Sequence, residues 1–294
     1  MIRRAGLVAR PQLAAARPTL IELASWLDAR DVTPVFETGT AALAGIQGRE
    51  TAPADDLARQ VDLVIALGGD GTLLAAANRI AAAGLDIPIA GVNFGSLGFL
   101  TEITLAELYD AMATVVDGTA AIDSRMMLRA AISRAGGDAP LADRLVLNDI
   151  VITRGSLSRM IDLEVRVNDG FVTRVKADGL ILATPTGSTA YNLSAGGPIV
   201  EPAVDAFVMT PIAPHTLTNR PVVIPASSDV HVRPIMEKQD EVFVTFDGQA
   251  GFPLQAHDLV SVRRAARPLR IVKSAKRSYF ELLREKLKWG GDNR

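Results

Sequence analysis

Apolar and polar positions follow two rhythms along this chain, and the rhythm changes once. Up to about residue 122, short apolar runs alternate with segments of helical spacing. "RAGLVAR" (4–10) predicts a first strand. In "AAARPTLIELASWLDAR" (14–30), Leu20, Leu23, Ala24 and Leu27 recur three and four apart, which is one face of a helix. "TPVFE" (33–37) predicts a strand, and 37–56 is a glycine-rich, polar loop with room for a short helix. "VDLVIAL" (61–67) is β-branched, uncharged after Asp62 and closed by glycine, the pattern of a strand buried on both faces. "TLLAAANRIAAAG" (72–84) predicts a helix that starts near Thr72 and stops at Gly84. "DIPIAGVNFG" (86–95) predicts another strand, and "TLAELYDAMATVVDG" (104–118) another helix with Thr104 as its N-cap. Strands alternating with helices predict an α/β domain on a parallel sheet covered on both faces.

After about Asp123 the period becomes two. "SRMMLRAAISR", "RLVLNDIVITRG", "IDLEVRVNDGFVTRVKADGLILATP", "DEVFVTFDGQ" and "LVSVRRAARPLRIVK" all read as strands. Val165 and Val167, then "NDG", then Phe171, Thr173 and Val175 predict a hairpin whose Asp-Gly supplies the positive φ. The expectation is an all-β, sandwich-like domain over 123–272, after an α/β domain over 1–122. In "KRSYFELLREKLKWGG", Tyr279, Leu282, Leu283, Lys286 and Leu287 return to helical spacing, so 273–294 is expected to be a helix and tail that pack back.

Composition narrows the function classes. A chain of 294 residues with 48% hydrophobic and 22% charged residues builds sizeable cores without staples. Net charge is −2, so no basic footprint points to nucleic acid. There is no cysteine, which excludes disulfides, zinc thiolates and a thiol nucleophile and fits a reducing compartment. The first residues, "MIRRAGLVARPQLAAARP", hold no apolar stretch of signal-peptide length, and no apolar run is long enough to span a bilayer. The expected location is the cytoplasm, with no membrane partner. His215, His231 and His257 lack metal-ligand spacing.

The chemistry concentrates at "VIALGGDGTLL" (64–74), where a buried strand runs into three glycines around one aspartate. No Gly-x-x-x-x-Gly-Lys-Ser/Thr, no Gly-x-Gly-x-x-Gly and no Gly-x-Ser-x-Gly is present, so the Walker, dinucleotide and nucleophile-elbow readings fail. A loop from strand end to helix start still presents unpaired N–H groups and a partial positive charge, and phosphate is its natural guest. Gly68, Gly69 and Gly71 would keep side chains out of a bulky anion's way. A carboxylate at Asp70 repels phosphate unless a cation bridges the two or the carboxylate takes a proton from an attacking hydroxyl, and both occur in phosphoryl transfer. The alternative is that Asp70 caps the helix and the glycines merely turn the chain.

This loop resembles the Gly-Gly-Asp-Gly-Thr motif shared by NAD kinases, diacylglycerol and sphingosine kinases and, more loosely, 6-phosphofructokinases. "GVNFGSLGFL" (91–100), "LNDIVI" (147–152), "DGLILATPTGSTAYNLSAGGPIV" (178–200), "PIAPHTLTNRPVVIP" (211–225) and "FDGQ" (246–249) resemble NAD kinase segments in the family's order, from residue 61 to about 272. The resemblance is to the bacterial-type NAD kinases and implies transfer of the γ-phosphate of ATP to the 2′-hydroxyl of the adenosine ribose of NAD. It implies magnesium held mainly by ATP phosphates and water, inorganic polyphosphate as a possible second donor, and a homodimer or homotetramer. Two other readings stay open here: a lipid or other small-alcohol kinase with the same loop, and a dinucleotide sensor that transfers nothing.

The resemblance also distributes roles. Asp70 is the expected base, with Gly71 and Thr72 along phosphates. Asn93 and Phe94 border the acceptor nucleotide, in a segment that otherwise reads as a glycine-rich turn anchored by Phe99 and Leu100. Asn148 and Asp149 interrupt an apolar strand and point to opposite faces, so at least one needs a buried partner; the family places ribose hydroxyls there. Thr189, Ala190, Tyr191 and Ser194 are expected to contact adenine and ribose, with Tyr191 offering an aromatic face, and Thr186, Asn192 and Leu193 are expected to be further cofactor-binding positions in the same segment. Asp178 is expected near the nicotinamide carboxamide. Lys176 is a cofactor-binding position that varies within the family and where an ammonium could prefer one nicotinamide redox state, and Arg159 and Gln249 fall at family positions that line the dinucleotide site.

Overall fold

The computed structural model describes residues 2–95, 97–134, 137, 139–155, 160–236, 241–249, 251–274 and 276–289. The chain divides into two compact units, one formed by residues 1–124 with 269–294 and the other by 125–268.

The first unit opens with β1 (Arg4–Ala9), α1 (Ala16–Asp28), β2 (Thr33–Glu37), α2 (Thr38–Ala44) and a short β3 (Thr51–Ala52). It continues with β4 (Leu63–Gly68), α3 (Asp70–Ala82), β5 (Pro88–Asn93), β6 (Ile103–Thr104), α4 (Leu108–Val116) and β7 (Ile122–Arg125). Every residue of β4 and of β5 is buried, as their unbroken apolar runs require. Leu20, Leu23, Ala24 and Leu27 form the buried face of α1. Thr104 starts the turn into α4: the Glu107 carboxylate accepts from both the N–H and the hydroxyl of Thr104.

The second unit contains β8 (Leu128–Ser133), β9 (Ala142–Val146), β10 (Asp149–Arg154), β11 (Ile161–Val167), β12 (Gly170–Ala177), β13 (Gly179–Ala183) and the short α5 (Tyr191–Ser194). It is completed by β14 (Ala206–Ile212), β15 (Val222–Pro225), β16 (Val230–Ile235), β17 (Val242–Phe246), β18 (Phe252–Leu254) and β19 (Leu259–Arg264). These make two antiparallel six-stranded sheets, β15-β14-β13-β10-β17-β18 and β12-β11-β16-β19-β8-β9. Their inner faces share one core, in which Ile150, Ile152, Leu182 and Phe207 of one sheet join Leu128, Leu163, Val232 and Val260 of the other. The opposite face of β10 and β13 is also buried: Val151, Ile181 and Ala183 pack with Ala195. Two buried faces explain why "LNDIVI" and "GLILA" read as unbroken apolar runs. The β11–β12 hairpin forms as its pattern predicts, but the left-handed residue is Asn168, at φ +52°, rather than the Asp-Gly pair; asparagine tolerates that region better than most side chains.

The chain then returns to the first unit with β20 (Leu269–Val272) and α6 (Tyr279–Leu287). The first sheet runs β3-β2-β1-β4-β5-β20-β7, with β6 beside β5, and β20 is parallel to β5. The sequence pattern assigned 269–272 to the β-rich domain; its register partners, Pro88 and Ile89, lie far back in the chain, where no local pattern reaches them. In α6, Ser278 and Glu281 form a capping box, Leu282 and Leu283 are buried, and the Lys286 ammonium lies over the Phe99 ring. Order reverses beside β1 and β4: β2 lies on one side of the pair and β5 on the other, so the parallel sheet has its switch point at the ends of β1 and β4, where such sheets hold ligands.

Candidate active site

At that switch point β4 ends in Gly68, Gly69 turns the chain, and α3 begins at Asp70. The three glycines differ in kind. A Cβ on Gly69 or Gly71 would meet no atom within 4 Å, so both border open space. A Cβ on Gly68 would stand 2.5 Å from Thr72 Oγ1 and 3.0 Å from Arg10 Cβ. Gly68 is therefore required by the protein's own packing. The Arg10 N–H donates to the Leu67 carbonyl at 2.9 Å, which seats this arginine, missed in the sequence pattern, beside the turn.

Asp70 does more than stand at a helix start. Its carboxylate gathers the loop that follows β5. Oδ2 accepts from the Phe99 N–H at 2.8 Å, and Oδ1 accepts from the N–H groups of Leu100 and Thr101 at 3.1 and 3.0 Å and from Thr101 Oγ1 at 2.9 Å. Gly98 passes so close that a Cβ there would lie 1.9 Å from Oδ1. Asn93, buried at the end of β5, donates from Nδ2 to Thr101 Oγ1 and accepts the Gly95 N–H on Oδ1. Phe94 donates its N–H to the Gly68 carbonyl and rests half-buried against the first core. The glycine turn and the "NFG" turn are thus tied into one structure. Thr101 carries no signal of its own in the sequence; its part depends on bonds to a residue 31 positions earlier.

In the second unit, Asn148 and Asp149 enter β10 and meet the 184–190 turn. Thr184 donates its hydroxyl to the Leu147 carbonyl and its N–H to the Asn148 carbonyl, and accepts the Gly187 N–H. A Cβ on Gly187 would lie 2.0 Å from the Asn148 carbonyl oxygen, so this approach needs glycine. Asp247, in "FDGQ", accepts the N–H groups of Leu147, Asn148 and Asp149 at 2.9, 2.7 and 3.1 Å. The Asp149 side chain is 4% exposed, and among the described residues no donor reaches its carboxylate. Burial, with the Asp247 charge adding to it, pushes its carboxyl up to about 7.

The other predicted residues separate by what their side chains can offer. Tyr191 is 47% exposed at the start of α5, with Ser194 exposed beside it and Thr189, Ala190 and Leu193 half-buried. Thr186 is buried and its hydroxyl lies 3.5 Å from the Arg125 guanidinium. Asn192, expected among the nucleotide contacts, has its amide used inside the fold. Nδ2 donates to the carbonyls of Ser188 and Pro198, Oδ1 accepts from Thr210, and the side chain is fully buried. Its position against Gly197, where a Cβ would lie 2.1 Å from Oδ1, makes it a staple of the loop. Asp178 is half-buried and accepts from Arg154 Nε at 2.7 Å, and Lys176 and Gln249 are exposed. Arg159 lies outside the described residues.

The two halves of the chain match two parts of one family. Residues 5–120 match the ATP-NAD kinase N-terminal domain, and residues 147–274 match the ATP-NAD kinase C-terminal domain.

The chain belongs to the NAD kinase family.

It is 49% identical over 269 residues to an NAD kinase of Geobacter sulfurreducens and 48% identical over 269 residues to one of Geotalea daltonii, with 92% of each chain covered in both cases. Against an NAD kinase of Syntrophotalea carbinolica it is 44% identical, covering 98% of this chain and 99% of that one. Among solved structures, yeast NADH kinase complexed with NADH is similar at a TM-score of 0.89 and 26% identity, covering all of this chain and 89% of that chain. An NAD kinase from Archaeoglobus fulgidus in complex with ATP is similar at 0.75 and 27%, covering 97% and 98%. NAD kinase membership across both units disfavours the lipid-kinase reading.

Proposed function

We propose that this chain transfers the γ-phosphate of ATP to the 2′-hydroxyl of the adenosine ribose of NAD, with Asp70 receiving the hydroxyl proton. The observation that carries the assignment is the Asp70 carboxylate, fixed by four donors at a helix start bordered by the open positions of Gly69 and Gly71. The start of α3 at Asp70 and Gly71, with Thr72 beside it, is where an incoming phosphate would sit. Asn148, whose amide donates and accepts, and the buried carboxylate of Asp149, which accepts when ionised, supply what the two hydroxyls of a ribose diol need. Tyr191 supplies a free aromatic face for a base. Asn93, Phe94, Thr186, Thr189, Ala190, Leu193, Ser194, Lys176, Asp178 and Gln249 are proposed to line the dinucleotide site, Asn93 and Asn192 through the loops they hold.

The donor set bears on the metal. Among the described residues no three His, Asp or Glu side chains cluster to cage an ion. The proposed magnesium ion would be carried by the triphosphate and water. When bound, it would neutralise phosphate charge, and the protein would orient the hydroxyl and hold its proton.

A homodimer or homotetramer and a cytoplasmic location belong to the same proposal. Among the described residues no helix is long and apolar enough to cross a membrane.

The test is to incubate the purified protein with ATP, magnesium and NAD and to follow NADP. Formation of NADP supports the reading; binding of NAD with no NADP formed would point to a sensor. Repeating the assay with NADH and with inorganic polyphosphate defines the redox preference and the donor range.

A further inference from the structure

We infer that Thr101 is a positioning residue for the transfer, and that its hydroxyl leaves Oδ2 of Asp70 as the atom that takes the proton. The inference rests on the reading of Asp70 as the proton acceptor. Thr101 is fully buried. Its Oγ1 receives a hydrogen bond from Asn93 Nδ2 at 3.0 Å and gives one to Asp70 Oδ1 at 2.9 Å. A hydroxyl has one hydrogen. Because the Asn93 amide donates into Oγ1, that hydrogen is directed at Asp70. Asn93, Thr101 and Asp70 thus form a chain with a fixed direction.

The two carboxylate oxygens are not equivalent. Oδ1 takes three donors, the N–H groups of Leu100 and Thr101 and the Thr101 hydroxyl. Among the described residues Oδ2 takes one, the Phe99 N–H. A carboxylate oxygen offers about two lone-pair directions. Oδ1 is therefore filled, and Oδ2 keeps one lone pair for the substrate. Rotating the carboxylate would break the whole set at once, and Gly98, with no room for even a Cβ beside Oδ1, packs against that same oxygen. In the transfer the 2′-O–H bond breaks and its proton goes to Oδ2. The freed electron pair forms the new bond to the γ-phosphorus. The bond from that phosphorus to the bridging oxygen breaks, and its pair leaves with ADP. The proton then passes from Oδ2 to water.

The methyl of Thr101 has a separate task. A Cβ on Gly91 would lie 3.0 Å from Thr101 Cγ2, so the methyl packs against β5. Two substitutions therefore divide the residue. Thr101→Val keeps the shape and removes the hydroxyl. Its kcat should fall by about 10- to 100-fold, the scale of a misplaced reacting group, while KM for ATP and for NAD each stay within about twofold. Thr101→Ser keeps the hydroxyl and loses the methyl. It should melt at a lower temperature yet hold kcat within about threefold of wild type. In the background of Asp70→Asn, adding Thr101→Val should change kcat no further, because the hydroxyl acts through the carboxylate. A Thr101→Val enzyme with wild-type kcat would overturn the proposal, and so would a Thr101→Ser enzyme more than about tenfold slower than wild type. The second result stands even if Thr101→Val fails to fold. If Asp70→Asn itself turns over like wild type, the reading of Asp70 fails instead, and the two failures are told apart.

Discussion

Asp247 holds the backbone of Asp149. Its Oδ1 accepts the Asp149 N–H at 3.1 Å, and its own N–H donates to the Asp149 carbonyl at 2.9 Å. Asp247 sits at φ +51°, just past the end of β17, and turns its carboxylate back over the start of β10. One buried acid therefore places another, and its charge also disfavours ionisation of the acid it places.

Removing that support should be expensive. Asp247→Ala leaves the N–H groups of Leu147, Asn148 and Asp149 without their acceptor. Buried donors left unsatisfied cost about 1–3 kcal/mol each, so the loss should reach about 3 kcal/mol or more. Asp247→Asn keeps one acceptor oxygen and tolerates the left-handed backbone, so it should lose less. Urea midpoints of the two variants check the order, and both should raise KM for NAD.

The Asp149 carboxyl titrates at about 7 in the folded chain against an ordinary value of 3.8. The folded state thus holds a proton that the unfolded state has released across this range. That contribution to stability is whole below about pH 3.8 and is lost as pH rises to about 7. Binding should run the other way. The ionised carboxylate accepts from ribose hydroxyls, so NAD affinity should strengthen as pH rises through about 7, approaching tenfold per unit well below it. Titration calorimetry of NAD over this range should show the slope in the wild type and a flat line in Asp149→Asn.

Tyr191 and Asn192 are neighbours with opposite tasks. Tyr191→Ala removes a half-exposed ring and should change stability by less than about 0.5 kcal/mol, while weakening NAD binding by about 1–3 kcal/mol, the scale of one base stack. Asn192→Ala removes three hydrogen bonds, two of them buried. It should cost about 2–4 kcal/mol of stability and affect NAD binding only through the loosened loop. Thermal melts beside NAD binding isotherms separate the two.

Gly98→Ala should be severe without touching any substrate. Its Cβ would stand 1.9 Å from Asp70 Oδ1 and 2.6 Å from Asp70 Cγ, so the loop or the carboxylate must move. A displacement of this size is expected to lower kcat by about 100-fold or more. Steady-state rates of NADP formation check it.

What the sequence could reveal follows from how far apart the interacting residues lie. The strand and helix patterns of the first unit are local, and β1, α1, β4, α3 and β5 form where their periodicity predicts. Asp70 stood out because three glycines surround it. Thr101 did not, because its bonds to Asp70 span 31 residues and leave no mark on its neighbours. Asp247 reaches about a hundred residues back, and β20 pairs with a strand far earlier still. Asn192 shows the converse. Its motif marks it as important, yet only coordinates show that its amide faces Ser188, Pro198 and Thr210. Gly68 likewise reads as clearance for an anion, and its closeness to Thr72 and Arg10 leaves no mark in the sequence.

The central claim is that Asp70 takes the proton from the ribose hydroxyl. The most direct measurement is the turnover of Asp70→Asn at saturating ATP, magnesium and NAD, with the Kd of each nucleotide measured separately. Asparagine keeps one acceptor oxygen for the 99–101 loop but cannot accept the proton. The account predicts a kcat lowered by about 10²- to 10⁴-fold with both nucleotides still bound within a few-fold of wild type. An Asp70→Asn enzyme that makes NADP at the wild-type rate would contradict it.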